Sequence, residues 1–376
     1  METMQAAKKS GTASPAELFI VGFPGTTPPQ PLLSRYRRGD YAGLIFFARN
    51  FSAPGDAVAT AAYLRELTES YQPSAAPLQG LPPILAIDHE GGRVQRLKAP
   101  LTVWPPMDRL RGRPEALAEQ VGRAQASELR ALGLNVNFAP VLDVMTNPQN
   151  PIIGDRAFGH TPSEAATQGL AFLRGLESVT GMRGCGKHFP GHGDTETDSH
   201  LTLPVVRRDE ATLRAVELLP FVAAARAGIG MLMTAHVVYP AVDARPATLS
   251  KRWLTDILRD ELGFSGVVVS DDLDMNAVTA QHLQIADDSA VVVEALLAGC
   301  DAFLFCRDQD RLLRAEEALI RAAETRSEVR ERIAESAARV RTFRQTLRTG
   351  TADEDYLRSL PSSDHAALRS QLLATP

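Results

Sequence analysis

Met231-Leu-Met-Thr-Ala-His236 and Gly266-Val-Val-Val-Ser-Asp271 are short apolar runs that each end on an ionisable residue, and the stretch around them decides the fold. A helical pattern from Lys251 to Leu262 lies between the two. A second, Ile285 to Ala298, leads on to Cys300-Asp-Ala-Phe-Leu-Phe305. Apolar runs of this length bounded by helices read as buried strands, and regular strand–helix alternation means a parallel sheet.

The alternation extends toward the N-terminus. Leu18-Phe-Ile-Val-Gly-Phe23, Gly43-Leu-Ile-Phe-Phe47, Pro83-Ile-Leu-Ala-Ile-Asp88, Val136-Asn-Phe-Ala-Pro140 and the run from Gly181 to His188 are the other candidate strands. Helical patterns over Asp56–Tyr71, Glu115–Leu132, Glu164–Leu176 and Asp209–Ala227 separate most of them. Eight strands in a chain of 376 residues point to an α/β fold, a single (β/α)8 TIM-type barrel. A doubly wound open sheet is the competing architecture, but no GxGxxG opens a helix after the first strand. Arg311 to Arg348 reads as one or two additional C-terminal helices. The expected organisation is a loose N-terminal arm over 1–15, a barrel domain with its C-terminal helices over 16–349, and a polar tail over 350–376.

Composition narrows the function. The chain is 44% hydrophobic and 23% charged, enough to bury a sizeable core. Its formal net charge is −5 and it carries no basic block, so nucleic acid is a poor partner. No window has the length of a membrane span or a signal sequence. Three cysteines, Cys185, Cys300 and Cys306, give no disulfide framework. A soluble, cytoplasmic protein with no membrane partner is the expectation.

The densest chemistry lies between Lys187 and His200, where three of the eight histidines sit with a lysine and three carboxylates on a frame of Pro190, Gly191 and Gly193. This reads as a loop leaving the end of a strand, where functional groups collect. Asp88, His188, His236 and Asp271 each end an apolar run, so a barrel would gather them at one mouth. Solvated strand ends explain one or two such residues less strainedly than four. After Asp88, the turn at Gly91-Gly92 is followed by Arg93 and Arg96; an Asp and an Arg suit a polyhydroxylated ligand, or form only a local salt bridge. Asn137 to Asp143 leads to a loop that brings Arg156, which alone reads as structural. Of the adjacent Asp271 and Asp272, one faces the mouth, and Asp271 could be nucleophile or general base. Asp198 stands two residues before His200; in extended chain they share a face, and Asp198 could orient the imidazole.

Together these runs resemble the NagZ-type β-N-acetylhexosaminidases of glycoside hydrolase family 3. The resemblance covers roughly Phe19 to Cys306 and rests on IDHEGGRVQR, NFAPVLDV, IGDRAFG, KHFPGHGDTETDSH, TAHVVYPAVDARPAT and ELGFSGVVVSDDLDM, in family order. It implies a (β/α)8 barrel, Asp271 as catalytic nucleophile, His200 as general acid/base and Asp198 as its dyad partner. It places sugar binding on Asp88, Arg96, Arg156, Lys187 and His188. His89 stands where the family commonly has glutamine. The residues after the eighth strand are too few for the second α/β domain that many members carry, which fits the single-domain type.

The activity implied is that of a retaining exo-β-N-acetylglucosaminidase acting on terminal non-reducing β-linked GlcNAc, from 1,6-anhydroMurNAc muropeptides in peptidoglycan recycling. The expected partner is a small carbohydrate substrate, with no cofactor, no metal and a monomeric chain. Another family 3 β-glycosidase is the nearest alternative. A zinc-dependent barrel hydrolase could use His188, His192, His200, His236 and Asp271, but the first strand ends without the His-x-His of such enzymes. A non-catalytic sugar-binding barrel is disfavoured by the intact Asp271, Asp198 and His200.

Overall fold

The computed structural model describes residues 13–53, 55–196, 203–275, 278–279, 288–350 and 353–374. Eight parallel strands form its centre: β1 (Phe19–Val21), β2 (Gly43–Phe46), β3 (Ile84–Ile87), β4 (Val136–Asn137), β5 (Arg183–Gly184 continuing as Gly186–Phe189), β6 (Met231–Thr234), β7 (Val267–Asp272) and β8 (Ala302–Phe305). Each pairs with its successor, as in Leu44 with Leu85 and Val267 with Met231. The ring closes where Phe19 of β1 pairs with Phe303 of β8. Strand β5 is interrupted at Cys185, whose amide donates to Asn137 O (3.1 Å) and Ala139 O (2.9 Å), so β4 and β5 remain neighbours across the break. The eight strands expected from the apolar runs are all present.

The two-residue period of a strand sorts the side chains. Ile20, Ile45, Ile84, Ala86, Met231, Met233, Val267, Val269, Ala302 and Leu304 fill the barrel interior. Their neighbours Phe19, Leu44, Leu85, Leu232, Val268 and Phe303 face the helical layer. Continuing the inward series past the strand ends brings Asp88 after Ile84 and Ala86, Lys187 after Cys185, and Asp271 after Val267 and Val269 to the C-terminal mouth.

The helices are α1 (Gln30–Arg37), α2 (Ala57–Ser70), α3 (Glu115–Leu132), α4 (Pro162–Glu177), α5 (Glu210–Ala215), α6 (Leu219–Arg226), α7 (Arg252–Glu261, wound as a π-helix), α8 (Val291–Ala298), α9 (Gln309–Thr325), α10 (Ser327–Gln345), α11 (Glu354–Arg358) and α12 (Ser363–Leu373). Local signals set their ends. Thr161 and Glu164 exchange capping hydrogen bonds at the start of α4, with Pro162 at its first position. Gly133 ends α3 in the left-handed region.

Two features lie beyond the sequence reading. Val340 and Phe343 of α10, with Leu347 just after it, join the interior cluster and plug the N-terminal end of the barrel. The segment read as a polar tail contains α11 and α12, with Leu357 and Leu372 buried. His365 of α12 places Nδ1 2.7 Å from the buried Glu128 carboxylate of α3, which also accepts the Thr102 hydroxyl at 2.6 Å. At the other terminus Ser14 begins a short turn over Pro15–Leu18, and Glu17 there accepts from Arg341 Nη2 at 2.6 Å. Residues 1–12 of the expected arm lie outside the described residues. No helix of the described residues is long and apolar enough to cross a membrane, and all three cysteines are buried and free.

Candidate active site

The mouth of the barrel is built on a chain of buried charges. Lys187, 2% exposed, places Nζ 2.7 Å from Asp88 Oδ1 and 2.6 Å from Glu90 Oε1. Arg156 grips Glu90 with both arms of its guanidinium, Nε to Oε2 and Nη2 to Oε1, each at 2.8 Å. Arg96 donates to the second Asp88 oxygen at 3.3 Å. Burial works against the charge on Asp88, Glu90, Arg156 and Lys187, yet the opposite charges win. Lys187 and Arg156 hold the Asp88 and Glu90 carboxyls below the usual range, Glu90 at about 2. Against the same opposing burial, the two carboxylates push the Lys187 ammonium up.

Backbone geometry makes this chain possible. Asp88 and Glu90 are two apart in extended chain and share a face. The hairpin of His89–Gly91 with Val94–Gln95 then returns Arg96 beside Asp88. Its turn is Gly91-Gly92 at φ 105° and 58°, and a Cβ on Gly91 would stand 2.7 Å from Met107 Cε. Asn137 at the end of β4 clamps the hairpin, accepting from His89 N at 3.0 Å and donating to His89 O at 2.9 Å.

His188 is held by a second buried acid. Its Nδ1 donates to Asp143 Oδ2 at 2.7 Å and its amide to Oδ1 at 3.1 Å, while the His192 amide reaches the same Oδ1 at 2.6 Å. Burial opposes this charge too, but His188 and the amides hold Asp143 below the ordinary carboxylate value. With the proton of Nδ1 committed to Asp143, Nε2 is the ring nitrogen available to a ligand. The His192 imidazole is buried beside His188, lowered to about 4 and therefore neutral.

Asp271 lies at the end of β7. The amide of Asp272 donates to Asp271 Oδ1 at 2.8 Å, and among the described residues Oδ2 has no hydrogen bond. Burial would raise this carboxyl, but His188, His236 and Lys187 hold it below its usual value, so it is an anion at neutral pH. His236 is fixed between the Thr248 hydroxyl, 2.7 Å from Nδ1, and the carbonyl of Asp272, which accepts from Nε2 at 3.2 Å. Asp272 points the other way and accepts from the amides of Cys306 (3.1 Å) and Asp274 (3.0 Å). Burial and Asp274 raise it to about 7.

The structure therefore brings Asp88, Arg96, Arg156 and Lys187 into one network through Glu90 and sets His188, held by Asp143, at the same mouth, with Asp271 close enough for His188 and Lys187 to act on it. Asp198 and His200 lie outside the described residues. Glu90 and Asp143 are the groups that sequence reasoning missed. Glu90 was legible as the residue two beyond Asp88; Asp143 was not, because its partner lies forty-five positions away. Among the described residues no group of three or more His, Cys, Asp or Glu is arranged to hold a metal ion.

A parallel eight-stranded barrel whose mouth carries an ionised, half-satisfied carboxylate beside a cradle of opposite charges has the layout of a barrel enzyme's active site. A sequence profile described as "Glycosyl hydrolase family 3 N terminal domain" matches residues 33–343. A beta-hexosaminidase of Pseudomonas aeruginosa is 42% identical over 276 residues, 73% of this chain and 77% of that protein. The crystal structure of NagZ from Neisseria gonorrhoeae in complex with N-trifluoroacetyl-D-glucosamine superposes with a TM-score of 0.75 at 31% identity, covering 96% of this chain and 98% of that one. The same NagZ has been solved with a zinc ion. A family 3 beta-N-acetylglucosaminidase from Paenibacillus sp. gives a TM-score of 0.83 at 34% identity over 95% of this chain and 67% of that one. The chain belongs to glycoside hydrolase family 3 and, within it, to the NagZ-type β-N-acetylhexosaminidases.

Proposed function

We propose that the chain is a retaining exo-β-N-acetylglucosaminidase that removes terminal non-reducing GlcNAc from 1,6-anhydroMurNAc muropeptides in the cytoplasm during peptidoglycan recycling. The observation that carries the retaining mechanism is Asp271: anionic, aimed into the mouth, one oxygen held by an amide and the other open. In the first step Asp271 Oδ2 attacks C1 of the sugar, the bond from C1 to the leaving oxygen breaks, and His200 as imidazolium protonates that oxygen. In the second, neutral His200 takes a proton from water, the water oxygen attacks C1, and the bond to Asp271 breaks. Asp198 orients His200. Asp88, Arg96, Arg156, Lys187 and His188 supply the donors and acceptors that a sugar's hydroxyls require, already held by one another, by Glu90 and by Asp143 before substrate arrives.

The experiment is to assay aryl β-GlcNAc, β-GalNAc and β-Glc with and without phosphate, to read product stereochemistry, and to trap the intermediate with a slow-leaving 2-fluoro sugar. Retention, preference for GlcNAc and a label on Asp271 are expected. Inversion, or a label elsewhere, removes the mechanism. His200→Ala should lose far more activity on a disaccharide than on an activated aryl glycoside, whose leaving group needs no proton; equal fractional losses would make His200 a binding or structural residue. A strong chelator should leave turnover unchanged, since the Asp143 and Thr248 contacts already engage the imidazoles of His188 and His236.

A further inference from the structure

The chain that leaves β5 toward the catalytic dyad is held tightly over its first residues. Pro190 to Gly193 is buried. Asn150 Nδ2 donates to His192 O at 2.8 Å and to the Thr195 hydroxyl at 3.1 Å. A Cβ on Gly193 would stand 1.6 Å from Val144 O, so this backbone lies directly on its neighbour. The Tyr239 hydroxyl donates to Gly191 O. Flexibility cannot begin at the two glycines and the proline, as their sequence suggests. Asp194, near the end of the described part of this segment, is held as well: its two oxygens accept Arg208 Nε (2.8 Å) and Nη2 (2.6 Å), with the Thr146 hydroxyl at 3.3 Å.

Behind Arg208 stands Glu217, placed just ahead of α6 and 1% exposed. Among the described residues neither carboxyl oxygen makes a hydrogen bond, and its ion pair is to Arg208 Nη1 at 3.2 Å. A Cβ on Gly191 would meet Glu217 Cβ at 2.7 Å, so this side chain is packed against the same segment. A buried, unsatisfied carboxyl is costly and demands a reason. Here two carboxylates share one guanidinium. Arg208 faces the acid on the loop with two nitrogens and the acid in the wall with the third. Burial lifts Glu217 to about 7 and Asp194 adds to the lift, while the Arg208 charge pulls it down. The Tyr239 phenol is the other titratable group turned toward it.

We propose that Glu217 is a positioning residue for the hydrolysis: through Arg208 it fixes Asp194, and with it the start of the segment that carries His200. This rests on the reading of His200 as acid/base. Glu217 touches no substrate and changes no glycone contact. Its loss should appear only in the step that needs proton delivery.

The test is kcat and KM of the full chain for a GlcNAc-containing disaccharide and for an activated aryl β-GlcNAc, in Glu217→Gln, Arg208→Gln and the double variant, with His200→Ala alongside. Each single variant should lose about tenfold in kcat/KM on the disaccharide and change kcat/KM less than twofold on the aryl substrate, because only the first step differs between them. The double variant should lose no more than the worse single, because both act through one contact. Glu217→Asp should recover part of the loss. Arg208 is partly exposed, so Arg208→Gln keeps the test decisive should Glu217→Gln fold poorly. If His200→Ala shows the leaving-group split and the Glu217 and Arg208 variants do not, the positioning role is refuted. If His200→Ala itself shows no split, the acid/base assignment falls first and the role of Glu217 with it.

Discussion

Replacing Glu90 by glutamine should be among the most damaging isosteric changes available to this chain. The carboxylate accepts from Arg156 Nε and Nη2 at 2.8 Å each and lies 2.6 Å from Lys187 Nζ. All three side chains are nearly inaccessible, at 2%, 10% and 2% exposure. A glutamine keeps one acceptor oxygen and turns an NH2 toward a cation that can only donate. With its oxygen in the place of Oε1, a glutamine still accepts from Arg156 Nη2 and Lys187 Nζ but loses the bond from Arg156 Nε, at roughly 1.5–3 kcal/mol, and the two buried cations lose the anion they share, leaving Asp88 and Asp143 to offset them. Removing one partner of a buried pair costs about 3–5 kcal/mol, and the remaining Lys187–Asp88 contact keeps the loss from exceeding that range. The assay is urea unfolding followed by the fluorescence of the buried Trp104 and Trp253. Glu90→Gln with Arg156→Met should be more stable than Glu90→Gln alone, because no guanidinium is then orphaned. A loss below about 1 kcal/mol for Glu90→Gln, with no change in KM, would mean that the network neither stabilises the barrel nor holds the sugar-binding cations. The pH dependence has a definite sign. Glu90 sits at about 2 in the fold against 4.5 for the free group, so its contribution is complete above 4.5 and fades as pH falls toward 2.

Asp143→Asn should preserve the shape of the site but lose the anion that fixes His188, reducing kcat/KM on the order of 10²–10⁴-fold by analogy with other carboxylate–imidazole pairs; a loss under threefold would make Asp143 a structural residue only. Asp271→Ala should fold normally and lose turnover by several orders of magnitude, and Asp272→Asn should be milder; near-parental turnover of Asp271→Ala would remove the nucleophile. Glu217 is raised from 4.5 to about 7, so the native state holds its proton more tightly and stability falls as pH rises across that window. Glu217→Gln should therefore be more stable than the parent at pH 8, by roughly 1–3 kcal/mol, and no more stable at pH 4; the same difference at both would refute the titration. Ending the chain after Gly350 should lower thermal stability and loosen the 99–113 loop, measured by hydrogen exchange, because Glu128 loses His365 and Val103 O loses the Arg369 side chain; unchanged exchange there would show that α12 is ornamental to the loop.

The barrel was legible because the strands are short runs dominated by apolar residues and the helices between them carry their own period, several with a side-chain cap, as at Asp56, Thr161 and Asp209. The strand-end charges were legible because each closes an apolar run, which is how Asp88, His188, His236 and Asp271 were grouped at one mouth, whereas Lys187, the inward residue of β5, was reached only through the family resemblance. What failed was anything that depended on chain returning from a distance. Asp143 is six residues beyond the end of β4, and nothing near it in sequence names His188 as its partner. The Gly/Pro frame after His188 suggested freedom, yet Asn147, Asn150 and Asp143 on another loop pin it. The segment 350–376 has too few apolar residues to announce itself; three leucines, Leu357, Leu360 and Leu372, suffice to bury its inner side.

The closure of the ring has a consequence for how the protein is made. Phe19 of β1 pairs with Phe303, near the far end of the chain. At roughly 5–20 residues per second, β1 emerges on the order of 15–60 s before the strand that will cover it. Throughout that interval its free edge is a template for any other strand in reach, including a second nascent copy. Three residues is a short template, but its one aromatic side chain, Phe19, meets its ring partners Phe303 and Phe305 only on the closing strand. A ribosome halted before Ala302 would release a barrel with one stave missing and two facing edges bare. Newly made chains of this protein should be most prone to cross-pairing with one another late in synthesis, when nearly everything is folded except the join.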